Sequence, residues 1–129
     1  MDYRTLFADV HRRPNAYFLR GTYRDAVVFM AGCDAINNGG LLIGFPQWLA
    51  LKAECSASLS WPALVLRVTF PDMRPRGLDD LSEENDRKAT EKLFSLIDEF
   101  LQERGNARGA ADIITQYANT RRSGTEHQT

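Results

Sequence analysis

Histidine and cysteine are scarce: the 129 residues hold two of each, His11 and His127, Cys33 and Cys55. None stands in a C-x-x-C or H-E-x-x-H spacing, so the sequence offers no recognisable metal centre. No cofactor is expected. Long hydrophobic runs are missing too. The longest apolar or glycine stretch, Ala26 to Cys33, falls far short of the ~20 residues a membrane-spanning helix needs. The start Met1-Asp2-Tyr3-Arg4 lacks the basic-then-apolar pattern of a secretory signal. With two widely spaced cysteines in apolar patterns, the expectation is a soluble cytoplasmic protein with reduced core thiols. A strong net charge is lacking as well, at −1.

The chain does have an uneven charge distribution. Residues 1–76 carry nine Lys/Arg against six Asp/Glu, and residues 77–104 carry four against nine, a local balance of −5. Such asymmetry bears on association and steering rather than on fold.

The hydrophobic pattern is helical through most of the chain. Tyr3, Leu6, Phe7 and Val10 recur at i, i+3, i+4 and i+7, one face of a short helix limited by Pro14. Residues 14–21 read as a connector that packs Tyr17, Phe18 and Leu19 inward. Thr22, with Asp25 three residues on, opens a second helix. From Ala26 to Ile36 it is apolar nearly all round, which predicts a central, buried position. Asn37-Asn38-Gly39-Gly40 ends it, since both residue types tolerate left-handed backbone.

A third helix follows Pro46, with Trp48, Leu49, Leu51 and Cys55 inward. Residues 61–70 fit a helix from Ser60 and Pro62, and also a strand through Leu64, Leu66, Val68 and Phe70. Helix is favoured, because a lone strand leaves its backbone unpaired. After the 71–79 loop, Asp80 with Glu83 predicts a helix start. Ala89, Leu93, Leu96, Ile97, Phe100 and Leu101 then form one long stripe closed by Gly105. A last helix covers about 107–120, with Ala110, Ile113, Ile114 and Tyr117 on one side, and 121–129 reads as a disordered tail. The expected fold is all-α: one domain over 1–120, an orthogonal bundle of five to six helices, the alternative being α+β with a short strand at 61–70.

Each candidate for chemistry competes with a packing or capping explanation. Cys33 or Cys55 with His11 has the elements of a nucleophile and base, but buried thiols are inert. Gly39-Gly40-Leu41-Leu42-Ile43-Gly44 hints at a phosphate loop, yet no Lys-Ser/Thr follows it. Arg12, Arg13, Arg20 and Arg24 around Tyr17 and Phe18 are the ingredients of a modest nucleic-acid patch. Asp79, Asp80, Glu83, Glu84 and Asp86 put five acids into eight residues, suited to a helix N-terminus and equally to a protein-binding surface. That acidic run is the expected partner-binding site, with Trp48 or Trp61 as anchors if exposed.

Three short motifs point further. Arg13-Pro14-Asn15-Ala16-Tyr17-Phe18 resembles an R-P-G-M-Y turn near the start of many small bacterial proteins, departing at Asn15 and Ala16. There, too, a helix with a G-x-x-A segment follows, comparable to Ala31-Gly32-Cys33-Asp34-Ala35. Gly44-Phe45-Pro46-Gln47-Trp48-Leu49 is similar to their G-F-x-x-W-L. The resemblance is to immunity proteins of contact-dependent growth inhibition and polymorphic-toxin systems. It implies a non-enzymatic cytoplasmic protein that binds a cognate toxin domain, a nuclease in the first place, and it assigns no site residue. The acidic run would then mimic nucleic acid in a basic active site, or cover a neighbouring basic surface. A small hydrolase using carboxylates near 71–86 and a nucleic-acid adaptor using Arg12 to Arg24 stand as alternatives.

Overall fold

A computed structural model of the chain describes residues 1–73, 80–105 and 107–127. It is an all-α bundle with no strand among the described residues. The helices are α1 (Tyr3–Arg12), α2 (Tyr23–Ile36), α3 (Phe45–Ala53), α4 (Trp61–Thr69), α5 (Glu83–Arg104) and α6 (Ala107–His127), with a 3₁₀ turn at Pro14–Tyr17.

α5 is the hub, packing against α1, α2, α4 and α6, while α3 packs on α4 and α6. Its stripe from Ala89 to Leu101 is buried as the spacing predicts. Phe100 is fully enclosed, with its ring 4.9 Å from Phe45 and 5.7 Å from Trp48. The helix opens two residues later than expected. Ser82, not Asp80, is the cap, its side chain accepting the Asn85 N–H at 3.1 Å. Residues 61–69 are helical, and Leu64, Val65 and Leu66 are all buried. Burial of three successive residues on a packed helix is what blurred the period. α6 runs on to His127 rather than ending near 120.

α2 differs more. Thr22 caps it as predicted, accepting the Asp25 N–H at 3.2 Å. Only Tyr23, Ala26, Val27 and Met30 are buried, however, so the helix lies on the outside of the bundle with one face open. Its apolar composition exceeds what the core has room for.

Two glycines are required by geometry. Gly44 caps α3 at φ 90°, a left-handed backbone that other residues enter at a cost. A Cβ on Gly109 would lie 1.8 Å from the Arg104 carbonyl oxygen, so α6 can leave α5 this closely only with glycine there.

Candidate functional site

The acidic run is divided by the fold. Asp79 lies outside the described residues. Asp80 stands exposed ahead of α5, and Glu83 and Glu84 are exposed in its first turn, Glu84 reaching Lys88 at 3.4 Å. Asp86 is different. It is half-buried, and its Oδ1 accepts the backbone N–H of Tyr23 at 3.0 Å, the first residue of α2. That bond satisfies an N–H the helix itself cannot. Asp86 therefore joins α5 to α2, with one carboxylate oxygen engaged inside the fold. The bond also places the acidic turn of α5 beside the first turn of α2.

Within the arginine segment, Arg12 and Arg13 share one carboxylate. Asp9 accepts from Arg12 at 2.6 Å, from Arg13 at 2.9 and 2.6 Å, and from the Tyr17 hydroxyl at 2.5 Å. The Arg13 guanidinium, then the Tyr17 hydroxyl, hold the Asp9 carboxyl well below the usual carboxylate range. Tyr17 also packs edge-on against Phe29, centroids 5.7 Å apart. Phe18, expected to pack inward, is 97% exposed at φ 61°. A left-handed residue after the 3₁₀ turn reverses the side-chain direction.

Neither tryptophan is an open anchor. Trp48 is buried, its indole N–H donates to Glu103, and the Lys52 ammonium lies 4.6 Å above its ring. Trp61 is half-buried against Phe45. Three amides of the 39–44 loop are engaged within the fold. Those of Gly39 and Gly40 donate to Asp34 and Asn37 carbonyls, and that of Leu42 to the Asp34 carboxylate at 2.8 Å, so these three are not offered to a phosphate. Arg104 secures the loop from α5, donating to the Gly40 and Leu41 carbonyls at 2.8 and 2.7 Å.

Cys33 and Cys55 are free thiols packed at the edge of the core, half-buried rather than enclosed. Burial pushes the Cys33 thiol up, away from the thiolate that a nucleophile needs. His11 is engaged elsewhere. Its Nε2 lies 2.9 Å from Glu91, and its ring stacks on Phe94 with centroids 4.4 Å apart. The pair ties α1 to α5 and lines a pocket of about 120 Å³ between α1, the 3₁₀ turn, α2 and α5. Among the described residues no group of three His, Cys, Asp or Glu could hold a metal ion, and no helix is long and apolar enough to cross a membrane.

Comparison with protein-family models, with curated proteins and with solved structures finds no match.

The outward face of α2 was missed by the sequence reading. Val28, Ala31, Gly32, Ala35 and Ile36 are all exposed and follow i, i+3, i+4, i+7 and i+8. Val28 is 60% and Ile36 82% exposed, and a Cβ on Gly32 would meet nothing within 4 Å. The spacing was visible in the sequence. In a helix apolar all round, though, it cannot be told from the face that packs. The His11–Glu91 pair, eighty residues apart, has no local signal at all.

Proposed function

We propose that this chain is an immunity protein: it binds and neutralises a cognate toxin domain of the nuclease class, without catalysis of its own. The observation that carries this reading is the α2 face. An exposed apolar stripe of five residues along one helix is uncommon on a surface with nothing to cover it and is typical of a recognition surface. Ala31, Gly32 and Ala35 at its middle allow close approach of a partner backbone. Glu83 and Glu84, in the α5 turn that meets the first turn of the same helix, with Asp80 just ahead of them in the chain, supply an acidic margin for a basic partner. The three motifs that resemble those of immunity proteins point the same way.

The test is a growth assay. The reading frame neighbouring this gene is expressed in cells, alone and together with this chain. The expected outcome is a toxic product whose toxicity the chain relieves. The triple variant Asp80→Asn, Glu83→Gln, Glu84→Gln should protect less well, with the loss greatest at low salt when binding is measured in vitro. A chain that fails to relieve the toxicity of such a neighbour contradicts the proposal. A triple variant that binds and protects like wild type removes the acidic margin from it.

A further inference from the structure

The pocket beside His11 is built from four separate segments. At about 120 Å³ it is well below the ~300 Å³ lower end of small-molecule sites and suits a single side chain. Its floor is apolar, with Val10, Ala26 and Phe94 all buried. Its polar walls are richer in acceptors than donors. Asp25 uses Oδ2 to accept the Arg20 N–H at 2.7 Å, and among the described residues its other oxygen has no partner. Glu91 meets His11 through Oε1, and among the described residues its Oε2 has none either. Against these two carboxylates stands one guanidinium, Arg87, which makes no ion pair among the described residues, lies exposed at the rim, and also lines the groove on the α4 side.

From this geometry we infer that the pocket is a socket for one basic side chain, lysine or arginine, of a partner protein. The aliphatic stem lies on Val10, Ala26 and Phe94, and the cationic head donates to the open oxygens of Asp25 and Glu91. The occupant's identity as a partner's side chain rests on the binding role proposed above. The socket itself can be tested without any toxin. Arg87 competes with the arriving cation and turns outward when it is replaced.

The experiment titrates the full ¹⁵N-labelled chain with n-butylammonium chloride, with sodium butyrate and n-butanol as controls at matched ionic strength. The amides of Thr22, Asp25, Ala26 and Glu91 should shift saturably with n-butylammonium and not with the controls. Glu91→Gln should weaken this binding about fivefold, as expected for loss of one partly exposed charge partner. Asp25→Asn should act similarly while keeping an oxygen for the Arg20 N–H, and Arg87→Ala should tighten binding. Ac-Ala-Lys-Ala-amide should shift the same amides, and Ac-Ala-Ala-Ala-amide should not. Equal or stronger shifts with butyrate, no saturable shift at these amides, or weaker binding in Arg87→Ala would each overturn the assignment. A response to the free amine but not to the lysine peptide would overturn the protein side chain as occupant. Failure of the growth assay with a positive titration discards the toxin and keeps the socket; the reverse discards the socket alone.

Discussion

α5 and α2 are both rich in apolar residues, and the fold uses them in opposite ways. α5 buries its whole stripe against four neighbouring helices and turns a charged face outward. α2 buries Tyr23, Ala26, Val27 and Met30, and leaves Val28, Ala31, Gly32, Ala35 and Ile36 open. One helix has the amount of apolar surface its position requires, and the other has more. Apolar surface that folding does not cover is the part of the molecule free to bind something else.

The contrast is sharpest where α5 is cut. Phe100→Ala removes a fully enclosed ring that touches Phe45 and Trp48, and should cost about 3–5 kcal/mol of stability in chemical denaturation. A loss below about 1 kcal/mol would mean that α5 is not the hub. Asp86→Ala comes next. It leaves the first N–H of α2 without its carboxylate and should cost about 1–3 kcal/mol. Glu83→Ala, one turn earlier and exposed, should be close to neutral. Equal effects of the two would mean that the Asp86–Tyr23 bond adds nothing to stability.

On the open face of α2 the sign reverses. Gly32→Ala adds a methyl where there is space and removes a helix-interior glycine, so the isolated protein should gain about 0.5–1 kcal/mol. A destabilised Gly32→Ala would show that something within the chain covers the face. The Asp9 network gives a smaller effect, recognised by its pH dependence. The Asp9 carboxyl is depressed in the folded state, so its contribution is fully present above the unfolded value of about 3.9 and fades as the pH falls towards the folded one. The difference in thermal midpoint between wild type and Asp9→Asn should therefore narrow on acidification from neutral pH. A constant difference would mean the carboxylate charge is not what matters. Smallest of all, Ile36→Ser should leave stability within about 0.5 kcal/mol of wild type, because a side chain already in water has little to lose.

Legibility in the sequence followed the same division. The α5 stripe could be read residue by residue because one face packs and the other is charged. The cap at Thr22 was legible from local chemistry, and the helix at 61–69 only as the better of two readings. The open face of α2 was not legible, since apolar residues surround that helix and burial depends on what the other helices already fill. Beyond Tyr117, α6 has no apolar stripe, so its continuation to His127 left no periodic trace. Of the five acids expected to bind a partner, Asp86 also accepts the α2 amide, a contact across sixty-three residues that no local pattern signals.

The central claim, that the protein works through the α2 face its own fold leaves uncovered, is tested most directly by protection from the toxin domain with a charged α2 face. Val28→Asp with Ile36→Asp should keep the circular dichroism and thermal midpoint of wild type within about 1 kcal/mol of stability, and should lose protection. A folded double variant that protects cells as well as wild type would contradict the account.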